Sequence, residues 1–376
     1  MLLKNAWACL ETGFACASLR IENGRFVEII TAPTQEDGVD LQGLTVLPGL
    51  IDIHTHGNSG ADFSDGSEDG LRRMSIFLAK SGITGFAPTS MTLPYSELAR
   101  AFACAKRVHD MPTPGSSRLL GINMEGPFFS EKKRGAQNAA YLQLPDLERF
   151  ESLYEASGGL IAMVDLAPEL PGAQDFTRQV STRCVVSVAH TDADYEQTAA
   201  VYRAGARHLT HLFNAMPPIH HRKPGVIGAA SECEDVTAEL ICDGYHVHPS
   251  AVRMAFRLFP GRICLVSDAL RCCGMPDGQY TLGGQDVFLQ GGVARLADGT
   301  LAGSAATLYQ CLQRAIAFGI QPFEAVKAAS LNPARVLGVD DDFGSIAVGK
   351  CADFLVCDQD WTLLDVYLDG KCIAVK

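Results

Sequence analysis

Eight apolar runs recur along the middle of this chain, over 46–56, 82–90, 119–125, 160–169, 184–190, 208–214, 238–246 and 263–268, and each ends in polar residues. Amphipathic stretches such as 71–80 and 96–108 separate them. Continuously apolar strands alternating with helices predict a parallel sheet covered on both faces. Eight such units predict an α/β fold of the (β/α)8 TIM-like barrel type, over residues 48–345. The competing arrangement, an open doubly wound sheet, opens its first crossover with a glycine-rich phosphate loop, and this chain has none there. The glycine-rich, alternating segment 278–299 reads as a β excursion between the eighth strand and its helix.

Both chain ends carry a different pattern. Short β-like runs at 15–21 and 25–30 flank an Asn23-Gly24 turn, and 352–357, 363–368 and 371–375 follow at the other end, with Asp369-Gly370 as the last tight turn. Such pieces cannot bury their apolar faces alone. They predict one small discontinuous β-sandwich domain built from 1–47 and 346–376.

A formal net charge of −12 argues against nucleic acid or an anionic membrane as partner, because both demand a broad basic face. No run of 18 apolar residues occurs, so no membrane span is expected. The thirteen cysteines are scattered without repeated C-x-x-C spacing, and no secretory leader precedes Glu11 and Arg20, which predicts reduced thiols and a cytoplasmic location.

Chemistry-bearing residues gather where the runs end. In Leu50-Ile51-Asp52-Ile53-His54-Thr55-His56, residues two apart share a strand face, so both imidazoles leave the same side. Glu125, His190 and His211 close three other runs. In a barrel all these ends meet at one face, and nitrogen plus carboxylate donors suit a divalent cation, Zn²⁺ or Fe²⁺, with a position left open for water. Asp268 ends the eighth run. A carboxylate opposite activated water can take its proton and return it to a leaving amine; the competing role is a cap for the following helix.

The order and spacing of these motifs resemble the amidohydrolase superfamily, and within it the N-acetylglucosamine-6-phosphate deacetylase family, over nearly the whole chain. The matching stretches are 48–57, Glu125-Gly126-Pro127-Phe128, 133–138, Ala189-His190-Thr191, 210–217, Asp243-Gly244-Tyr245-His246, Val266-Ser267-Asp268-Ala269, 301–304 and the tail 344–353. The resemblance implies that Glu125, His190 and His211 hold the main metal and that Asp268 is the catalytic acid and base. It implies substrate contacts from Ala136, Gln137, Asn214, Ala215, Arg222, His246, Leu301, Ala302 and Gly303. His220-His221-Arg222-Lys223 is also the densest basic cluster of an acidic chain, and a guanidinium matches phosphate oxygens. In the family the equivalent arginine reaches the phosphate of the neighbouring subunit, which implies a homodimer. Some members carry histidine where Gln137 stands; others keep the His-x-His pair and bind a second metal, with the glutamate bridging. This chain, with His54 and His56, matches the two-metal pattern.

The implied reaction is hydrolysis of N-acetylglucosamine 6-phosphate to glucosamine 6-phosphate and acetate, a step of amino-sugar metabolism. Deacetylation of the galactosamine epimer is the nearest alternative, since spacing does not separate epimers. Cyclic-amide hydrolases of the superfamily bridge their metals with a modified lysine, where this chain offers Glu125. A non-catalytic scaffold would have lost ligands or the acid/base, and every one is present.

Overall fold

The first apolar run carries two strands of two different sheets. The computed structural model, which describes residues 1–373, breaks it at Gly49. Thr45–Pro48 pairs antiparallel with Phe354–Cys357 and parallel with Leu2–Leu10, while Leu50–Thr55 pairs parallel with Ile83–Pro88. At the corner the Gly49 N–H donates to the Asp353 carbonyl at 2.9 Å and the Leu50 N–H to the Gly82 carbonyl at 3.2 Å. A Cβ on Gly49 would lie 2.2 Å from Thr84 Oγ1, so a side chain there has no room. The single strand expected over 46–56 is corrected accordingly.

Eight parallel strands follow in chain order: Leu50–Thr55, Ile83–Pro88, Ile122–Phe128, Ile161–Leu166, Val185–Val188, His208–Leu209, Thr237–Ile241 and Ile263–Val266. The third to the eighth pair successively in one parallel sheet, and the first pairs with the second in another. A parallel bridge from Thr89 to Asn123 links the second to the third. A bridge from Thr55 to Ala269, with Asp268 N–H donating to the His54 carbonyl at 2.9 Å, ties the eighth back to the first.

Several strands stop sooner than their apolar runs. The fifth ends at Val188, the sixth at Leu209, the seventh at Ile241 and the eighth at Val266, and the polar residues beyond leave the ladder. The third starts at Ile122, because Arg118–Leu119 forms a separate short strand beside Ile83–Pro88. Helices fill the intervals. Ser67 caps Glu68–Lys80 by accepting from the Gly70 N–H, and Leu71, Met74, Ser75 and Leu78 turn one face inward at helical spacing. Tyr95–Asp110 buries Leu98, Ala101, Phe102, Ala105 and Val108 in the same way.

Both chain ends enter one eight-stranded sheet. Its order is Lys371–Ile373, Leu363–Leu368, Phe354–Cys357, Thr45–Pro48, Leu2–Leu10, Gly13–Glu22 and Arg25–Ile30, with Val39–Asp40 beside Leu2–Leu10. A separate core of Leu3, Leu19, Phe26, Val46, Phe354 and Val356 stabilises it. Of the expected last strand, Ala374 and Val375 lie outside the described residues. Between the eighth parallel strand and the helix Leu308–Ala317, a four-stranded antiparallel sheet runs from Gly278–Leu282 to Leu301–Ser304. Among the described residues every cysteine is free, and no helix is long and apolar enough to cross a membrane.

Candidate metal centre and active site

The polar residues that leave the parallel strands do so through left-handed backbone. His190 has φ 43°, His211 φ 29° and Asp268 φ 47°. Each such turn costs on the order of 1–3 kcal/mol for a residue with a Cβ and persists only where the surroundings over-determine it. Here the turns aim three side chains at the same point as His54 and His56. None of these five, nor Glu125, is more than 9% exposed.

Glu125 is the hub. Its Oε1 lies 3.1 Å from His190 Nε2, 3.3 Å from His211 Nε2 and 3.6 Å from His54 Nε2, while its Oε2 lies 3.3 Å from His56 Nε2. His190 and His211 bring their Nε2 atoms within 3.1 Å of each other. Two donor groups result, His54 with His56 and Glu125, and Glu125 with His190 and His211, each with ligand atoms within 4.8 Å of one another. They share the one carboxylate. Asp268 faces the first group, its Oδ1 3.3 Å from His56 Nε2 and 3.6 Å from His54 Nε2, and caps no helix.

The outer ring nitrogens fix which way the imidazoles present their lone pairs. His56 Nδ1 lies 3.1 Å from the Thr89 carbonyl and His190 Nδ1 2.9 Å from the Lys133 carbonyl. His54 Nδ1 lies 2.8 Å from Glu239 Oε2. With acceptors on that side, Nδ1 keeps a hydrogen and Nε2 is left as the ring atom that can offer a lone pair to a metal. His54 Nε2 is buried without a hydrogen-bond partner, which fits a ligand atom.

Electrostatics point the same way. Burial opposes ionisation of Glu125, yet His54, His190, His211 and His56 hold its carboxyl well below the usual range. Burial likewise opposes ionisation of Asp268, which His56 and His54 hold down. Desolvation works against protonation of His56, but Asp268 and Glu125 push it up to about 10. The cluster therefore demands positive charge, which protons or a divalent cation can supply.

A cavity of about 250 Å³ opens beside the cluster. His56, Glu125, His190, His211 and Asp268 line it, together with Ala136, Gln137, Asn214, Ala215, His246 and the turn Leu301-Ala302-Gly303. Gln137 does more than line the wall: its amide donates to Glu125 Oε2 at 2.7 Å and its Oε1 accepts from the Thr92 N–H at 2.7 Å. His246 is held by Asp243, Nδ1 to Oδ2 2.7 Å; burial opposes its protonation, but that carboxylate raises its pKa. Arg222 is not brought to this cavity. It is exposed, with Nη1 2.7 Å from His221 Nε2, and lines a separate groove of about 640 Å³ with Asp192, Tyr195 and Glu232.

Two carboxylates at the site were given no role by the sequence: Glu239, and Asp243, which entered only as part of the matching stretch Asp243-Gly244-Tyr245-His246. Glu239 and Asp243 hold His54 and His246, and Glu239 is fully buried in Ala238-Glu239-Leu240-Ile241. A charged residue inside an otherwise apolar strand was the available signal.

Residues 45–373 match the model of the Amidohydrolase family. The chain is 37% identical to the N-acetylglucosamine-6-phosphate deacetylase of Vibrio furnissii, over 94% of this chain and 89% of that protein. It is 35% identical to the N-acetylgalactosamine-6-phosphate deacetylase of Escherichia coli O157:H7, over 94% and 93%. Among solved structures it resembles an aspartate-to-alanine mutant of the Mycobacterium smegmatis N-acetyl-D-glucosamine-6-phosphate deacetylase in complex with N-acetyl-D-glucosamine-6-phosphate, with a TM-score of 0.93, 34% identity and coverage of 99% and 98%.

Proposed function

Because the chain belongs to the amidohydrolase family, we infer that it is a hydrolase that cleaves the acetamide of N-acetyl-D-glucosamine 6-phosphate, releasing D-glucosamine 6-phosphate and acetate. The observation that carries this reading is the convergence of four imidazoles on Glu125, with Asp268 beside them at the wall of one cavity.

Glu125, His190 and His211 are the proposed ligands of one divalent cation, Zn²⁺ or Fe²⁺, and His54 and His56 of a second, with Glu125 shared. When bound, such ions supply Lewis acidity to the acetamide carbonyl and lower the pKa of water. Asp268 takes the proton of the attacking water at its carboxylate and delivers it to the amide nitrogen. The C–N bond then breaks, the amine leaves as –NH2, the water oxygen stays with the acetyl group, and the second water proton passes from the acid to the amine to give acetate and an ammonium group. Gln137 braces Glu125 against the Thr92 backbone. His246, oriented by Asp243, and the Leu301-Ala302-Gly303 turn contact the sugar, as do Ala136, Asn214 and Ala215 of the same cavity.

The eight linked parallel strands support a closed (β/α)8 barrel over 48–345, and the eight-stranded sheet with its own core supports a small β domain from 1–47 and 346–376; the proposed β-sandwich has that one sheet folded on itself. No lysine or arginine lines the cavity among the described residues, so the phosphate needs a cation from elsewhere. The proposed source is Arg222 of a second copy in a homodimer. A cytoplasmic enzyme fits the free cysteines.

The 35% identity to an N-acetylgalactosamine-6-phosphate deacetylase favours one second reading, the epimeric substrate. Amine release from the two epimeric 6-phosphates, with bound metal counted in the same preparation, tests both. Faster turnover of the glucosamine epimer is expected; preference for the galactosamine epimer reverses the assignment, and turnover of neither overturns it.

A further inference from the structure

Glu239 is an expensive residue where it stands. It sits on the seventh parallel strand with no solvent exposure, flanked by Ala238 and Leu240. A buried carboxylate is costly unless paired, and an apolar side chain of similar volume often replaces a buried ionic group without loss of stability. Packing therefore does not explain it. Its hydrogen bonds do: Oε2 lies 2.8 Å from His54 Nδ1 and accepts from the His211 N–H at 3.0 Å, while Oε1 lies 3.2 Å from His208 Nε2. Three donors, from the first strand, the sixth strand and the turn beyond it, thus meet one carboxylate.

The four imidazoles of the centre are not treated alike. His56 and His190 set their Nδ1 atoms against neutral carbonyls, and His211 Nδ1 is buried without a partner. Only His54 has a carboxylate behind it. An anionic acceptor on Nδ1 fixes the ring and makes Nε2 a stronger donor than a carbonyl does. The same oxygen holds the backbone of His211 in its left-handed turn, so one residue registers the two halves of the centre against each other.

We propose that Glu239 is the positioning residue that loads the His54–His56 half of the centre with metal: it orients His54 and raises its donor strength, while the His190–His211 half depends on it less. This rests on the two-ion reading above. The test is metal binding itself. Metal-free wild type and Glu239→Gln are titrated with Co²⁺, following the ligand-field absorption and the bound ion per chain by equilibrium dialysis. Wild type is expected to take two ions. Glu239→Gln is expected to keep the first with little change and to bind the second about 10–100-fold more weakly, the usual cost of removing such a partner.

His208→Gln is the control for general damage to the buried network, because an amide can still donate to Glu239 Oε1 and the bond to His54 remains. It is expected to keep both ions. If the Glu239 amide variant does not fold, Glu239→Asp replaces it, keeping the charge but shortening the reach, and the same selective loss is expected. Two tightly bound ions in the Glu239 variant, or equal weakening of both, overturns the proposal. Wild type that takes a single ion overturns the two-ion reading and this proposal with it, so the two failures are distinguishable.

Discussion

The core of the terminal sheet and the far end of the parallel strands both bury their side chains, but they are filled in opposite ways. In the terminal sheet Phe354 stacks on Tyr367 with centroids 4.3 Å apart and meets Phe26 at 5.9 Å, among Leu3, Leu19 and Val356. At the strand ends the filling is His54, His56, Glu125, His190, His211 and Asp268, on backbone that is left-handed at three of them. Apolar burial stabilises without direction. A buried polar cluster stabilises only when each group finds its partner, and strained turns persist only where neighbours force them. The first region holds the chain together; the second uses some of that stability to aim donors at one point.

Asp268→Asn separates the two regions most sharply. The amide keeps the shape and cannot shuttle a proton, so kcat should fall about 10²–10⁴-fold while the melting temperature and metal content hold. Near-normal kcat would remove Asp268 from the mechanism. Phe354→Ala is the converse. It should cost about 3–5 kcal/mol in denaturant unfolding and leave kcat per folded molecule unchanged. A loss of kcat in proportion to the lost stability would mean that the regions are not separable.

A smaller effect is expected at Arg222, which belongs to neither region within one chain. Arg222→Ala should raise KM for the 6-phosphate by the loss of a charge-assisted contact of about 1.5–3 kcal/mol, and hardly change it for unphosphorylated N-acetylglucosamine. Mixed dimers of Arg222→Ala and Asp268→Asn should regain activity at a site that pairs intact Asp268 with the neighbour's intact Arg222. Verified mixed dimers without rescue would place the phosphate contact elsewhere.

Legibility in the sequence also divided along this line. The helices over 71–80 and 96–108 and the starts of most parallel strands could be read because burial imposes a period on the side chains. The strand ends could not. The change from apolar to polar residues before His190, His211 and Asp268 does not say where the ladder stops, and a left-handed turn at a histidine or aspartate leaves no mark comparable to a glycine. Gly49 did leave a mark, yet the run around it is apolar on both sides, and only tertiary pairing assigns Thr45–Pro48 and Leu50–Thr55 to different sheets. The strand-end histidines were visible as candidate ligands. Glu239 was passed over because a strand-interior carboxylate has no motif of its own, and Gln137, read as a substrate contact, turned out also to brace Glu125.

The central claim is that the polar end works only as a metal centre, and removal of metal tests it most directly. The protein is stripped with a chelator, its fold is checked by circular dichroism, and acetate release from N-acetylglucosamine 6-phosphate is measured as Zn²⁺ or Fe²⁺ is returned. Turnover should vanish in the stripped, folded protein and rise with bound ion until the centre is filled. Full turnover from folded protein shown by metal analysis to carry no ion would contradict the account.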